Sequence, residues 1–315
     1  MTVSQSKQEN QSLNMESITW GDFTWVNIER PTERETGYLA KNYPFHPLDL
    51  DDCLSRKQRP KLDVYPDYLF FIFQFSVYDI ATRVSTYDQV ATFIGNKYLI
   101  TLHSGQLKPL VKLFRQCQTD EEARREHFSY GAGYLLYRIL DRTVDAYFPI
   151  VDKILSQIAD VEDKVFDENV EAAEEVATLR RDIITQRRIM FPNRAVTAEL
   201  EPKLKRFTNT DISVYFGDLL DHLHRICDTL DECKEIIEVY KDSDYVLGTD
   251  RINRVMRVLA IIATILLPIN IVSSVYGMNI PLPLQDSKYS FLFVSLITLA
   301  IIGIMLFVFR RKRWI

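Results

Sequence analysis

Two long apolar stretches near the C-terminus dominate the pattern of hydrophobic and polar positions along this chain. The first runs from about 255 to 275 and the second from 291 to 309. Each holds close to the roughly 20 apolar residues that a helix needs to cross a bilayer. A buried helix of a water-soluble protein rarely stays free of charge for so long. The pattern therefore predicts two C-terminal transmembrane helices joined by the loop 277–290.

Positive charges collect at the two outer ends of this predicted hairpin. The tail 310–315 is basic, whereas the loop between the spans holds only Asp286 and Lys288 as charged residues. Three arginines, Arg251, Arg254 and Arg257, lie at the entrance of the first span. Because cytoplasmic ends of membrane helices carry the excess of Lys and Arg, both termini are expected in the cytoplasm of a multi-pass cell-membrane protein. Residues 1–17 are a polar tail without the apolar core of a signal peptide.

The segment 18–130 predicts a cytoplasmic α/β domain, because β-branched and aromatic runs alternate there with Pro and Gly. Predicted strands cover 24–28, 68–78, 90–94 and 98–102, and the last two form a hairpin across Gly95-Asn96. Short helices are predicted at 47–54 and 107–116.

The spacing of apolar residues becomes helical in 131–213, which predicts a cytoplasmic helical region with turns at Pro192 and Pro202. From 214 to 276 the helical pattern continues into the first span, and Pro268 is the first proline. One helix of that length would measure roughly 90 Å at 1.5 Å per residue. The expected fold class is an α+β membrane protein: a cytoplasmic α/β domain, long helices and two C-terminal transmembrane helices.

Charge and cysteine content restrict the class of function. The net charge is −5 despite the basic membrane edge, so the cytoplasmic part is acidic, which disfavours nucleic acid and suits cations. The four cysteines lack a C-x-x-C pair and predict free thiols. Cys227 and Cys233 follow His222 and His224, but their spacing favours an unligated helix face over a zinc site. No catalytic motif is present, so an enzyme is not expected.

A stripe on the first span carries its polar residues. Positions repeat every seven residues from Asn253 and from Met256, a period typical of left-handed helix bundles. Small residues there could simply allow close packing. However, an amide inside a membrane costs free energy unless it meets a partner or water, and one hairpin cannot enclose a pore. Several copies are therefore predicted to share a wet axis with apolar rings that close by dewetting. The predicted pore-lining residues are Asn253, Met256, Leu259, Ala263, Leu267, Asn270 and Ser274.

The motif Tyr276-Gly277-Met278-Asn279 after the first span, with the basic tail after the second, resembles the CorA family of magnesium channels. The resemblance covers nearly the whole chain and includes 58–61, 134–137 and 215–218. It implies a homopentamer with a cytoplasmic funnel. Gly277, Met278 and Asn279 would form the outer mouth, where amide oxygens hold the water shell of Mg²⁺. On a second interpretation, Gly-Met-Asn is only a helix C-cap in left-handed geometry.

The resemblance also implies a regulatory metal site. Asp218 would face Asp79 of a neighbouring subunit, and cytoplasmic Mg²⁺ between them would hold the closed state, because apposed carboxylates repel. Mg²⁺ would then be both substrate and regulatory ligand. The loop departs from the family pattern: it is rich in proline, and Asp286 is its one carboxylate for cation steering.

These observations predict a divalent cation channel for Mg²⁺ influx, with Co²⁺ and Ni²⁺ as further candidate ions. A Zn²⁺ or other transition-metal transporter of the same fold is an alternative, although the stripe has one thioether and no His or Cys. A membrane-anchored metal sensor that does not conduct is a second alternative, for which a uniformly apolar stripe is expected. The expected partners are divalent cations, the bilayer and further copies of the chain.

Overall fold

One six-stranded sheet forms the N-terminal part of this computed structural model, which describes residues 13–55, 58–79, 84–167, 170–208, 210–278, 289–312 and 314. The strands are β1 (Met15–Trp20), β2 (Phe23–Glu29), β3 (Lys61–Val64), β4 (Leu69–Asp79), β5 (Val84–Ile94) and β6 (Tyr98–His103). Their order is β1-β2-β6-β5-β4-β3. Only the central β2–β6 pair is parallel, and the other pairs are antiparallel.

Two helices interrupt the strands of the sheet, and the other helices follow its last strand. Helices α1 (Glu33–Asn42) and α2 (Pro47–Leu54) lie between β2 and β3, and β6 is followed by α3 (Lys108–Thr119), α4 (Glu121–Phe128) and α5 (Ala132–Asp145). The remaining helices are α6 (Phe148–Phe166), α7 (Ala173–Leu204), a 3₁₀ turn (Lys205–Phe207), α8 (Ser213–Tyr276) and α9 (Ser290–Arg311). Helices α8 and α9 are long and apolar enough to cross a membrane, as predicted.

Helices cover both faces of the sheet. On one face, Phe70 and Phe93 pack with Leu39 of α1 and Leu50 of α2. On the other face, the buried Trp25 ring meets Phe114 of α3 edge-on at 4.9 Å. Because neither face meets water, β4 is apolar without alternation over 69–73, where every side chain is buried.

Helix α7 passes through both Pro192 and Pro202, so the predicted turns at these residues are wrong. A proline inside a helix removes one backbone hydrogen bond. Burial of α7 side chains such as Ile183 and Leu200 offsets that loss. Next to Pro192, the Asn193 amide accepts a hydrogen bond from the Gln74 N–H of β4 at 3.1 Å and donates to the Gln74 carbonyl. Strand β3 pairs with β4 only over Leu69–Ile72. At Gln74, the Asn193 amide therefore makes the backbone hydrogen bonds that a neighbouring strand would otherwise supply.

The structure confirms the predicted strands near 24–28, 68–78, 90–94 and 98–102, the hairpin between the last two, and the helices at 47–54 and 107–116 within a few residues. It adds β1, β3, α1 and α4, which were not predicted, and β5 begins at Val84 rather than near residue 90. Strand β1 begins at Met15, inside the predicted polar tail. The long helix begins at Ser213, one residue before the prediction.

The chain divides into two compact units. The first comprises 1–164 and 172–240, and it holds the sheet and the N-terminal part of α8. The second comprises 165–171 and 241–315, which joins the turn between α6 and α7 with the membrane half of α8 and with α9. Helix α8 therefore contributes to both units.

Candidate functional site

The predicted pore-lining face of α8 is exposed in the single chain. All seven side chains on it are exposed: Asn253, Met256, Leu259, Ala263, Leu267, Asn270 and Ser274. The better-buried residues of the same span are Ile261, Ile265, Pro268, Ile269 and Val272. At 100° per residue, the centres of these two sets lie about 180° apart around the helix. One side of α8 is therefore partly covered by other residues of the same chain. The opposite side, which carries the amides, is exposed.

The exposed stripe continues from the membrane span towards the N-terminus of α8, and this continuation was not predicted from the sequence. Counting back in the same seven-residue pattern from Asn253 and Met256 leads to Asp218, and every position on the way is exposed. These positions are Asp218, Asp221, Arg225, Asp228, Glu232, Glu235, Val239, Asp242, Val246 and Thr249. We call the full set from Asp218 to Gly277 the α8 seam. Its N-terminal half, from Asp218 to Thr249, has six carboxylates and one arginine, and the same spacing in the sequence could have revealed it.

Helix α8 ends at the predicted outer mouth. Gly277 N–H donates to the Ser273 carbonyl at 2.9 Å, and Met278 N–H donates to the Val275 carbonyl at 3.3 Å. Gly277 is not among the described glycines with left-handed φ, so the left-handed cap expected on the second interpretation is wrong at this residue. Asn279 and Asp286 lie outside the described residues, and their roles stay predictions.

Three potential metal ligands converge where α5 meets α8. Asp141, Asp218 and His222 each offer one ligand atom, and these atoms all lie within 4.8 Å of one another. Asp141 is buried, Asp218 is exposed and His222 is half-buried. Carboxylate oxygens suit Mg²⁺, and an imidazole nitrogen also suits transition metals. Asp218 was predicted from the sequence, but Asp141 was not, although it shares the buried stripe of α5 with Tyr137 and Val144.

The charges around Asp141 are dominated by carboxylates. Burial raises the pKa of Asp141, and the negative charge of Asp145 raises it further. Arg138 opposes this effect by donating to Asp141 Oδ2 at 3.1 Å. Asp145 Oδ1 also lies 3.6 Å from His222 Nδ1. A divalent cation among these groups would neutralise charge that the protein itself balances only in part.

The structure also places Asp79, the other predicted metal ligand, and the two cysteines for which the sequence favoured an unligated helix face. Asp79 is the last residue of β4 and pairs with Val84 across the β4–β5 hairpin. Its expected approach to Asp218 involves a second subunit and stays a prediction. Cys227 and Cys233 are buried on α8, and burial raises the pKa of both thiols to about 11. Without a bound metal, both thiols are therefore protonated near neutral pH.

The family described as CorA-like Mg²⁺ transporter protein matches residues 20–311. The chain belongs to the CorA family. The cobalt/magnesium transport protein CorA of Thermotoga maritima is 28% identical over 304 residues, which cover 93% of this chain and 83% of the relative. CorA of Methanocaldococcus jannaschii, also named a cobalt/magnesium transport protein, is 25% identical over 307 residues, or 96% of this chain and 95% of the relative.

The solved structures agree with the family. The complete CorA magnesium transporter of M. jannaschii superposes with a TM-score of 0.79 at 26% sequence identity. The match covers 95% of this chain and 94% of that chain. This similarity confirms the predicted fold class, with its α/β domain, long helices and two apolar C-terminal helices. It also places the chain in a family of membrane transporters.

Proposed function

We propose that this CorA-family protein is a channel for divalent cations that mediates Mg²⁺ influx across the cell membrane. The observation that carries the proposal is the exposed α8 seam, which presents Asn253 and Asn270 on a membrane helix. Amide groups in a bilayer need partners or water, so this face is not suited to lipid. The Thermotoga maritima relative is named a cobalt/magnesium transport protein, which makes Co²⁺ the next candidate ion.

The seam also supports an oligomer, because one exposed helix face cannot surround an ion path. Small residues such as Ala260 and Ala263 let helices of several copies approach closely. Met256, Leu259 and Leu267 would then form apolar rings between the amide rings, which suits closure by dewetting. The family resemblance implies that five copies assemble. Gly277, Met278 and Asn279 would form the outer mouth, with Asp286 attracting cations to it.

The N-terminal half of the seam, which we place in the cytoplasm, suits a water-filled path for cations. Carboxylates such as Asp221, Asp228 and Glu235 would repel if the helices packed there as closely as at Ala263. The helices are therefore proposed to diverge on the cytoplasmic side and to enclose water. Clefts lined by one sign of charge raise the local concentration of counter-ions, so this stripe would concentrate cations.

The Asp141–Asp218–His222 cluster supports regulation by cytoplasmic Mg²⁺. Because Asp218 is exposed, a cation bound to it can take a further ligand from a neighbouring subunit. Asp79 is the candidate for that ligand. A cation bound there would join surfaces that otherwise repel, and its occupancy would follow the intracellular Mg²⁺ concentration by mass action. We propose that the occupied site holds the closed state. Basic residues at both ends of the hairpin support cytoplasmic termini.

The test is cation uptake into liposomes that contain the purified full-length protein, with an imposed interior-negative potential. Encapsulated indicators report Mg²⁺, Co²⁺ and Zn²⁺ entry separately, and protein-free liposomes give the background. Entry of Mg²⁺ driven by the potential is the expected result. Entry of Zn²⁺ without Mg²⁺ would keep the fold but replace the substrate by a transition metal. Absence of flux for every ion, with metal binding retained, would identify a sensor instead.

A further inference from the structure

Arg251 of α8 binds the turn between α6 and α7. Its guanidinium donates to the Asp167 carbonyl at 2.7 Å and to the Val170 carbonyl at 3.0 Å. Helix α6 ends at Phe166, and the carbonyls at such an end lack partners inside the helix. A cation is also favoured there by the helix dipole. The planar fork of arginine can bond two acceptors at once, which a lysine ammonium does not match.

The side chains that flank this turn are buried. Val165 is 1% exposed and Ala172 is fully buried at its two ends. Residues 165–171 belong to the same compact unit as the membrane half of α8, whereas most of α6 and α7 belongs to the unit that holds the metal cluster. The turn is therefore covalently continuous with the first unit (1–164 and 172–240), which the proposed function places in the cytoplasm and which we call the cytoplasmic unit. The turn is also hydrogen-bonded to α8 through Arg251.

The position of Arg251 on α8 places it next to the pore without entering it. It precedes Asn253, the first of the predicted pore-lining residues, by two positions, or about 3 Å along the helix. Around the helix it lies about 160° from Asn253 at 100° per residue. Its guanidinium is engaged with backbone carbonyls on that far side. A displacement of the turn would therefore act on α8 at the level of the first amide ring.

We propose that Arg251 is a positioning residue that couples the α6–α7 turn to the cytoplasmic entrance of the pore-lining helix. Its consequence for gating rests on the proposed function. When Mg²⁺ binds the cytoplasmic unit, α6 and α7 carry the turn, and Arg251 makes α8 follow at Asn253. Without the two hydrogen bonds, the cytoplasmic unit still binds Mg²⁺, but α8 responds less and the pore closes incompletely.

The test compares Arg251→Lys with Arg257→Lys in the full-length protein. Both changes keep the charge on the same helix. Arg257 is exposed, and the structure records no hydrogen bond of its side chain among the described residues. Hydrogen exchange is measured for peptides that cover 165–172 and 249–263, with and without Mg²⁺. Flux into liposomes is measured as a function of Mg²⁺ on the cytoplasmic side.

In Arg251→Lys alone, the turn is expected to exchange about tenfold faster, the size of effect for losing one charge-assisted hydrogen bond. The 249–263 peptide should lose its protection by Mg²⁺. The Mg²⁺ concentration that halves the flux should rise by a similar factor, while maximal flux stays at the wild-type value.

Unchanged exchange of the turn in Arg251→Lys would overturn the contact itself. Faster exchange with an unchanged Mg²⁺ response of 249–263 would make Arg251 merely structural and overturn its positioning role. If the wild-type protein carries no cation, the proposed function fails, and the exchange response of 249–263 to Mg²⁺ still decides the coupling. An equal loss of that response in Arg257→Lys would attribute it to the substitution of arginine in general, and would also overturn the proposal.

Discussion

A carboxylate oxygen of Asp141 on α5 lies within 4.8 Å of a carboxylate oxygen of Asp218 on α8. Two carboxylates at this separation repel unless a proton or a cation lies nearby. Burial raises the pKa of Asp141, in keeping with a site that disfavours a second negative charge. The pair therefore gives the cytoplasmic unit a place where a divalent cation changes the local electrostatics.

We expect Asp141→Asn and Asp218→Asn to weaken the protection that Mg²⁺ gives the cytoplasmic unit against proteolysis. Each change removes one anionic ligand, so the Mg²⁺ concentration for half-protection should rise by roughly tenfold or more. Asp152→Asn, an exposed position on α6, is the matched control and should behave as wild type. Identical digestion of the wild-type protein with and without Mg²⁺ would contradict the proposal of a regulatory Mg²⁺ site.

The same protection should depend on pH. Mg²⁺ needs the ionised carboxylates, so acidification must release it. Because the pKa of Asp141 is raised by burial, the loss should begin at a higher pH than an ordinary aspartate would give. Digestion at fixed Mg²⁺ over a pH series measures the midpoint. A midpoint that stays in place in Asp141→Asn would show that another group controls the release.

We expect copies of the protein to meet along the α8 seam. A cysteine introduced as Ala263→Cys should cross-link to neighbouring copies with a short bismaleimide in membranes, because this residue lies on the exposed seam. Ile265→Cys lies on the better-buried side of the helix and should cross-link much less. The native thiols are buried and should give little background. Equal cross-linking at both positions would contradict the assignment of the pore-facing side.

We expect Asn279→Ala to abolish Mg²⁺ flux and to leave the oligomer intact. The proposed role of the Asn279 amide is to hold the water shell of Mg²⁺, which a methyl group cannot do. Gln285→Ala removes another amide from the same loop and serves as the control. Liposome flux and size-exclusion chromatography measure the two properties. Wild-type flux in Asn279→Ala would disprove the mouth assignment.

Asn193→Ala is expected to destabilise the fold by about 3 kcal/mol, because it leaves the N–H and carbonyl of Gln74 buried without partners. Asn193 is 1% exposed, so water cannot replace the lost amide easily. Asn42→Ala on α1 removes an exposed amide and should cost less than about 0.5 kcal/mol. Urea unfolding in detergent compares the two, and equal midpoints would contradict the role of Asn193 as a substitute strand.

Stability should also fall on acidification because of His103. This side chain is buried, Nδ1 accepts from Gly105 N–H at 3.0 Å, and Nε2 lies 2.9 Å from Asn27 Oδ1. Burial lowers the pKa of His103 to about 4 from 6.5. The unfolded chain therefore binds the proton first, and stability present above pH 6.5 is lost as the pH falls towards 4. The loss should reach about 3 kcal/mol at most.

Melting temperatures over this pH range test the effect. His103→Gln, which cannot take up the proton, should be less stable at pH 7 but should show a flatter decline between pH 6.5 and 4. If its decline equals that of the wild-type protein, the carboxylates cause the acid sensitivity and His103 does not.

The parts of this protein that could be predicted from the sequence are those that depend on local pattern. Two apolar stretches of bilayer length, in which Arg257 at the start of the first is the one charged residue, identified the spans, since no water is available there for exposed polar groups. Pro47 at a helix start and the Gly95-Asn96 turn fixed neighbouring elements by backbone geometry. The seven-residue spacing of Asn253 and Met256 with their successors identified one face of α8, which the structure leaves exposed.

The remainder was decided by contacts between distant residues. Pro192 and Pro202 looked like turns because their local cost is large, but packing of α7 on β4 outweighs it. Strand β1 has only three apolar residues among its six, and it is stabilised by its pairing with β2. Asp141 meets Asp218 only because α5 packs near α8, and Arg251 meets Asp167 only because the α6–α7 turn reaches that helix. Local propensity cannot encode such meetings, because their free energy arises from burial and hydrogen bonding that exist only in the folded chain.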